Sequence, residues 1–215
     1  MTDTLELLAL TLGVVDTNAY ILGDRATGDA ILIDPVDDAD ALIEAAASAG
    51  LTIRLIVATH AHFDHVLASA PMKEKTGAPF VIHEEALPML RDLPAQGRMF
   101  FGAPLPPAAE PDRLIADDSE WIELGSLRLQ PLYTPGHAPG HIALFMPSHQ
   151  IVFSGDALFA GSVGRWDLPG GSQQILLDSI MRKLLVLGDD VRVLPGHGEP
   201  TTIGAERREN PYLQW

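Results

Sequence analysis

The pattern of apolar and polar positions along the chain predicts a protein rich in β-strands, with helices between them. Short apolar runs that contain many β-branched residues are typical of buried strands. On this basis we predict strands at residues 5–10, 18–22, 30–35, 54–58, 80–83, 121–124, 127–132, 141–146, 151–154 and 191–194. Gly125-Ser126 and Ser148-His149-Gln150 are short polar connections, and we expect each to join its two flanking strands into a hairpin.

Segments with helical patterning lie between several of these strands. We predict helices at residues 38–49, 65–76, 84–91 and 172–187, and a short helix within 201–215. Gly50 and Gly77 stand where a glycine commonly ends a helix, and Ser172 is a candidate N-cap. Hairpins interrupted by helices predict a sheet-rich sandwich that carries its helices on the outer faces.

Residues 94–113 break this pattern. Proline occurs repeatedly here, and because it lacks an amide hydrogen and disrupts helices, we predict no regular structure for the segment. The apolar run Met99-Phe100-Phe101 lies inside it. Two interpretations stay open, a lid over a pocket or a loop held to the core by its aromatic side chains.

Length, composition and charge restrict the class of protein. With 215 residues and 47% hydrophobic content, the chain can form a single domain, residues 1–215, with a sizeable core. A net charge of −15 disfavours nucleic acid and anionic membranes as partners. No apolar run is long enough to cross a membrane, and Met1-Thr2-Asp3-Thr4 lacks the basic start of a secretory signal. We therefore expect a cytoplasmic monomer or homodimer.

A dense group of candidate metal ligands follows the predicted strand 54–58. His60 and His62 are two positions apart, so on an extended or turning backbone they can point the same way and bind one ion. Asp64 and His65 follow at once with a different orientation, and we expect them to face a second ion. Imidazole and carboxylate ligands suit zinc, and also iron or manganese. The chain has no cysteine, which excludes thiolate ligands and a cysteine nucleophile.

Three more candidate ligands share a common context further along the chain. His137, Asp156 and His197 each follow an apolar strand and each adjoin a glycine. Glycine allows the backbone to turn sharply and to approach other groups closely. With the four residues above they form a set of seven, which is too many for a chance cluster of polar loop residues.

These motifs resemble those of the metallo-β-lactamase superfamily, and within it the short bacterial glyoxalase II-like (hydroxyacylglutathione hydrolase-like) branch. The matching motifs are His60-x-His62-x-Asp64-His65, Gly136-His137, Gly155-Asp156 and Gly196-His197. The resemblance implies an α/β fold, an αβ/βα sandwich of two mixed β-sheets with helices on the outer faces.

The resemblance also implies two divalent metal ions per chain, Zn²⁺ foremost, with Fe or Mn as alternatives. The implied ligands of the first ion are His60, His62 and His137, those of the second are Asp64, His65 and His197, and Asp156 binds both. A metal-bridging hydroxide, oriented with the help of Asp64, would attack an acyl carbonyl, since metal ions lower the pKa of bound water to about 7.

The substrate that the resemblance implies is a small-molecule thioester, S-D-lactoylglutathione or a related acyl thioester. Arg165 stands where the family has a basic residue for a glutathione carboxylate, although a structural ion pair with Asp167 is the alternative. Asp167 itself replaces a tyrosine of the family, which weakens the expectation that glutathione is recognised. Around the metals, Asp34 is predicted to orient a ligand histidine, and His141 to line the site or to be a structural residue.

Other activities of the same fold remain alternatives. A mononuclear-iron persulfide dioxygenase would use His60, His137 and Asp156 as its ligands, and a lactone or ester hydrolase would use the binuclear site. A metal-binding module without turnover is a further alternative. A bridging Asp156 points away from the β-lactamases, because it is typical of the thioester and lactone hydrolases.

Overall fold

In the computed structural model, which describes residues 4–214, the N-terminal half forms a six-stranded sheet. Its strands are β1 (Leu5–Leu12), β2 (Thr17–Asp24), β3 (Asp29–Ile33), β4 (Thr52–Val57), β5 (Phe80–His83) and β6 (Arg113–Ile115). They lie side by side in chain order. The pairs β1–β2 and β2–β3 are antiparallel, whereas β3, β4, β5 and β6 run parallel, so the sheet is mixed.

The C-terminal half forms a second six-stranded sheet and a small hairpin. Its strands are β7 (Ile122–Leu124), β8 (Leu127–Tyr133), β9 (Ile142–Met146), β10 (Ile151–Gly155), β11 (Leu158–Phe159), β12 (Ser162–Val163), β13 (Arg192–Pro195) and β14 (Thr201–Thr202). The sheet has the order β14-β13-β10-β9-β8-β7, and β11 pairs with β12 separately. This sheet is also mixed, because β10 and β13 are parallel and the other pairs antiparallel.

Helices cover the outer faces of the two sheets. They are α1 (Ala39–Ser48), α2 (Phe63–Val66), α3 (Ser69–Thr76), α4 (Leu87–Arg91), α5 (Leu93–Phe101), α6 (Gln173–Ser179) and α7 (Ile203–Glu209). Leu42 of α1 and Met72 of α3 pack on one sheet, and Leu176 and Ile203 on the other. Within residues 4–214, no helix is long and apolar enough to cross a membrane.

The apolar layer between the sheets confirms the predicted αβ/βα sandwich. Alternate residues of the two sheets meet there, including Leu22 and Ile33 from the first sheet and Leu144 and Phe153 from the second. Each of these side chains is almost fully excluded from water. Burial of apolar surface on both faces of each sheet is the main force that holds the four layers together.

The prediction for residues 94–113 was wrong at the start of that segment. Leu93–Phe101 is a helix, α5. Pro94 lies in its first turn, where an amide hydrogen has no partner within the helix, so proline is tolerated there. Gly102 ends the helix in a left-handed conformation, with φ of 72°. The proline-rich remainder, residues 103–112, does lack regular structure.

Three other predicted helices are divided in the structure. The segment 84–91 is a 3₁₀ turn, Glu84–Ala86, followed by α4. The segment 65–76 is split at residues 67–68 into the short α2 and the longer α3, and Gly77 ends α3 as expected. The segment 172–187 is α6, with Ser172 as its N-cap, followed by one π-helical turn at Ile180–Leu184. The break between α2 and α3 lets the residues after β4 turn into the edge of the sandwich.

Candidate metal centre

The candidate ligands meet at one edge of the sandwich because strand ends from both sheets converge there. Asp34 follows β3, His60 follows β4, His137 follows β8, Asp156 follows β10 and His197 follows β13. The pairs β3–β4 and β10–β13 are parallel, so their carboxyl ends lie at the same edge. A bridge between residues 17 and 197 joins the two sheets at this place.

The loop after β4 presents its ligands in two directions. His62 has an extended backbone, with φ of −67° and ψ of 148°, and it is the residue that precedes α2. Asp64 and His65 belong to the first turn of α2. The change from extended to helical backbone is the reason that His60 and His62 face one point while Asp64 and His65 face another, as the spacing predicted.

The first group consists of three buried histidines. Nε2 of His60 lies 3.1 Å from Nδ1 of His62, and that Nδ1 lies 2.8 Å from Nε2 of His137. The three nitrogens lie within 4.8 Å of one another. Three imidazole nitrogens that converge in this way are a typical ligand set for a divalent ion.

The second group contains two histidines and two carboxylates. Oδ2 of Asp64 lies 3.4 Å from Nε2 of His65 and 3.2 Å from Nε2 of His197. Oδ1 of Asp156 lies 3.3 Å from Nε2 of His65, and its Oδ2 lies 3.4 Å from Nε2 of His197 and 3.5 Å from Nε2 of His137. Asp156 therefore reaches both groups.

Two of these buried atoms have no hydrogen-bond partner within the protein, and this supports a metal between the groups. They are Nε2 of His65 and Oδ1 of Asp156. Burial of a polar atom without a partner is costly, and native proteins rarely leave one. A divalent cation held by these two atoms and by the neighbouring ligands would satisfy both, so the residues present fit a metal ion.

Gly196 shows how closely the backbone approaches these ligands. A Cβ atom at this position would lie 2.2 Å from Oδ1 of Asp156 and 2.7 Å from Cε1 of His65. Any larger residue would displace one of the two side chains. The glycine beside His197 is thus explained by close approach to Asp156.

Asp34 contacts one of the candidate ligands, His65. Its Oδ2 accepts a hydrogen bond from Nδ1 of His65 at 2.8 Å, which leaves Nε2 of His65 free of a proton when the ring is neutral. The carboxylate also accepts from the backbone N–H of Thr59 at 2.6 Å and from its hydroxyl at 2.9 Å. Thr59 Oγ1 lies 3.1 Å from Nδ1 of His60. One buried carboxylate thereby orients histidines of both groups.

Backbone carbonyls orient two further histidines, His137 and His197. Nδ1 of His137 donates to the carbonyl of Arg165 at 2.7 Å, and Nδ1 of His197 donates to the carbonyl of Asp16 at 3.3 Å. In each ring the other nitrogen, Nε2, faces the ligand cluster. Thr17 Oγ1 donates to Oδ2 of Asp64 at 2.9 Å.

The ionisation of the cluster follows from burial and from its two carboxylates. Burial lowers the pKa of His60 well below its ordinary value and that of His62 to about 3, and the neighbouring histidines add to the effect. Burial also lowers the pKa of His137. These three rings are accordingly neutral at pH 7, the form that binds metal.

The second group behaves in the opposite way. Burial alone would lower the pKa of His65 and His197, but the carboxylates outweigh it, raising the pKa of His65 well above its ordinary value and that of His197 to about 10. Burial would raise the pKa of Asp64 and Asp156, yet the adjacent histidines hold the pKa of Asp64 at about 2 and that of Asp156 well below its ordinary value. Both carboxylates are ionised and attract cations.

His141 is a structural residue at the edge of the cluster. Its Nε2 accepts a hydrogen bond from the backbone N–H of Asp156 at 3.0 Å, so its Nδ1 carries the proton and donates to Thr134 Oγ1 at 2.9 Å. Burial lowers its pKa well below the ordinary value. His141 therefore supports Asp156 and belongs to none of the candidate ligand groups.

Arg165 lies at the mouth of the site but is engaged elsewhere. Its Nε and Nη2 donate to the two carboxylate oxygens of Asp167 at 2.8 and 2.9 Å. This is the ion pair considered as the alternative to a substrate contact. The side chain is exposed and still lines the cleft of about 340 Å³ that opens over the ligands, together with Asp64, His137 and His197.

Sequence reasoning missed Gln96, which contacts the ligand loop from α5. Its side-chain amide hydrogen-bonds the backbone on both sides of His62. The prolines of this segment had predicted irregular structure, and a glutamine carries no signal of metal chemistry. The helical spacing of Leu93, Gln96 and Gly97 was the one available sign that these residues share a face.

Comparison with known proteins agrees with this geometry. The family model of the metallo-beta-lactamase superfamily matches residues 12–197. The chain is 38% identical over 186 residues to the hydroxyacylglutathione hydrolase GloC of Haemophilus influenzae, which covers 86% of this chain and 87% of that protein.

Two solved structures resemble the fold closely. The BLEG-1 B3 metallo-beta-lactamase has a TM-score of 0.92 and 36% identity, covering 98% of this chain and 100% of the other. TTHA1623 in a di-iron-bound form has a TM-score of 0.86 and 40% identity, covering 96% of this chain and 100% of the other. The fold, the His/Asp cluster and the family match together show that the chain belongs to the metallo-β-lactamase superfamily, whose hydrolase chemistry fits this site.

Proposed function

We propose that this protein is a binuclear metal-dependent hydrolase that cleaves acyl thioesters, with S-D-lactoylglutathione as the first substrate to test. The observation that carries the proposal is the pair of converging ligand groups with Asp156 between them. Two buried atoms of this cluster, Nε2 of His65 and Oδ1 of Asp156, have no hydrogen-bond partner within the protein. The likeness to a hydroxyacylglutathione hydrolase supports the substrate class. The likeness to TTHA1623 in a di-iron-bound form supports two divalent ions.

In this proposal His60, His62 and His137 hold one ion, Asp64, His65 and His197 hold the other, and Asp156 contacts both. When bound, two divalent ions supply Lewis acidity that polarises an acyl carbonyl and makes a water molecule nucleophilic at neutral pH. The ions could be zinc, iron or manganese, because none of the ligands is a thiolate.

The residues of the chain supply position and electrostatics. Asp34 and Thr59 keep the rings of His65 and His60 in one orientation, so their ligand nitrogens stay directed at the cluster. The ionised Asp64 and Asp156 provide the negative charge that retains cations. Phe63, Phe100 and Leu168 form apolar walls of the cleft over the ligands.

The proposal is tested by metal content and by turnover of the purified protein. We expect close to two divalent ions per chain by elemental mass spectrometry. We also expect hydrolysis of S-D-lactoylglutathione or of a related acyl thioester, which falls at least a hundredfold in Asp156→Asn. His149→Gln, which alters a histidine outside the cluster, is the matched control and should keep full activity. One iron per chain with dioxygen-dependent oxidation of a persulfide would overturn the proposal, as would turnover of a lactone, an ester or a β-lactam alone.

A further inference from the structure

A second cavity opens beside the cleft that lies over the candidate ligands. This side cavity has a volume of about 470 Å³ and begins at His62. His62, Phe100 and Leu168 line both spaces, so the two cavities adjoin each other. A molecule whose reacting group lies over the metal ligands can therefore extend one arm into the side cavity. The volume is typical of small-molecule sites.

The walls of the side cavity are apolar. Met89 and Met99 come from α4 and α5, and Pro139 and Leu168 face them from loops of the other half of the chain. Met99 and Phe100 are among the exposed large apolar residues of the protein, with 61% and 40% of their surface accessible. Apolar side chains in this position gain free energy when an apolar group covers them.

The charge at the rim of the side cavity is exclusively negative among the described residues that line it. Glu85 and Asp92 are its charged residues, and no lysine or arginine lines it. Glu85 accepts a hydrogen bond from the hydroxyl of Tyr133; burial of the phenol and this carboxylate both raise the pKa of Tyr133. The Asp92 side chain caps neither α4 nor α5, although it lies between them.

Neither Glu85 nor Asp92 forms an ion pair with a residue that the structure describes. Arg165, at the mouth of the adjoining cleft, donates two hydrogen bonds to the carboxylate of Asp167. The protein as a whole carries a net charge of −15. A substrate arm that ends in a carboxylate would meet like charges at the rim, and like-charge contact discriminates against such a partner.

We propose that the substrate of this site is a thioester with one apolar arm that lacks a carboxylate, and that Glu85 and Asp92 reject arms that carry one. This inference rests on the proposed function for the reacting group. Within that function it favours an uncharged acyl thioester over S-D-lactoylglutathione, whose glutathione arm carries carboxylates. The apolar walls bind the arm, and the two carboxylates determine which arms are accepted.

Two matched pairs of substrates test the inference on the intact metal-loaded protein. The first pair compares hexanoyl with adipoyl thioesters of N-acetylcysteamine, which differ by a carboxylate on the acyl arm. The second compares acetyl thioesters of hexanethiol and of 6-mercaptohexanoate, which differ on the thiol arm. We expect the uncharged member to be favoured at least tenfold in kcat/KM in one or both pairs.

A charge-neutralising variant tests the role of the rim. Glu85→Gln with Asp92→Asn should lower that preference at least threefold, while Glu44→Gln with Asp178→Asn, which makes the same change of net charge at residues that do not line the side cavity, should leave it unchanged. Glutamine at position 85 can still accept the hydrogen bond of Tyr133, so the fold is preserved.

The possible outcomes separate this inference from the proposed function. Hydrolysis of all four thioesters without preference in either pair would overturn the inference and leave the function intact. Failure to hydrolyse any thioester would overturn the function. In that case the same preference is measured by calorimetric binding of the corresponding thioethers, and equal affinity for charged and uncharged thioethers would overturn the inference as well.

Discussion

The side chain of Gln96 bridges the backbone groups of Ala61 and Phe63, the two neighbours of His62. Its Nε2 donates to the carbonyl of Ala61 at 2.8 Å, and its Oε1 accepts from the N–H of Phe63 at 2.9 Å. Helix α5 is thereby attached to the loop that carries the first group of candidate ligands. The same helix forms a wall of the side cavity, so α5 contacts both the ligand loop and the side cavity.

Replacement of Gln96 should weaken the first metal group without unfolding the protein. We expect Gln96→Ala to lower metal affinity and kcat/KM by about tenfold, in the range typical of residues that orient metal ligands. The reason is that His62 loses the fixed backbone on either side of it. Metal titration and steady-state kinetics measure the effect, with thermal unfolding as a check on the fold.

Two further variants show whether the amide acts through hydrogen bonds. Gln96→Glu keeps an acceptor for the N–H of Phe63 but loses the donor to Ala61, so its metal affinity should fall between those of the parent and the alanine variant. Gln174→Ala removes an exposed glutamine from α6 and should have no effect. Identical metal affinity in all of these proteins would show that Gln96 has no positioning role.

Asp34→Asn should weaken the second metal group by about tenfold to a hundredfold, the usual cost of losing a hydrogen-bond partner of a metal-binding histidine. Asp34 accepts the Nδ1 hydrogen of His65, and an amide at this place holds that ring less firmly and carries no charge. Metal content after dialysis against a graded chelator measures the change. Asp178→Asn, a carboxylate on α6 away from the cluster, is the control, and an unchanged second site in Asp34→Asn would contradict the prediction.

Gly196→Ala should disrupt the centre by a direct clash with a candidate ligand. Its new Cβ would lie 2.2 Å from Oδ1 of Asp156, so the carboxylate must move away from His65. We expect at least a tenfold loss of metal affinity and of kcat/KM. Gly188→Ala is the matched control, since the nearest atom to its Cβ lies 4.0 Å away. Equal metal binding by the two variants would show that the close approach of the Gly196 backbone to Asp156 is not needed for metal binding.

Metal binding should release protons from the second group at neutral pH. In the metal-free protein the pKa of His65 and His197 is raised, so both rings are protonated at pH 7, whereas His60 and His62 have lowered pKa values and are neutral. Because a metal binds only the unprotonated imidazole, filling both groups should release about two protons. Metal affinity should therefore rise with pH from 7 towards the pKa of about 10 given for His197.

Calorimetry in buffers of different ionisation enthalpy counts the released protons. The variant His197→Ala should release about one proton fewer than the parent protein. His62→Ala should leave the number unchanged, because that ring is already neutral, even though it lowers metal affinity. Release of no protons by the parent protein would contradict the assigned ionisation.

The local pattern of residues was enough to predict much of this protein. Apolar runs located the long strands, because burial on both sheet faces requires them. The seven candidate ligands follow the ends of such strands, and three of them, His137, Asp156 and His197, also adjoin a glycine. Asp34 was predictable for the same reason, since it ends a strand next to the one that leads to His60. What these signals share is that they depend on residues close together in the sequence.

Contacts between distant segments were decided by the tertiary structure alone. The prolines predicted irregular structure for 94–113, but Pro94 occupies the first turn of α5, where its missing hydrogen costs nothing. Gln96 acquires its role only because α5 packs against the loop at His62. Glu85 and Asp92 line the side cavity only because their segment packs near His62 and the loops at Pro139 and Leu168.

The sequence by itself thus determined the ligand types and the strands that carry them, because these follow from local burial and from the chemistry of the side chains. The tertiary structure decided which groups face the ligands, which charges are already paired and where the side cavity opens. Those features depend on the packing of segments that are far apart in the chain, and packing leaves no mark in the local pattern of apolar and polar residues.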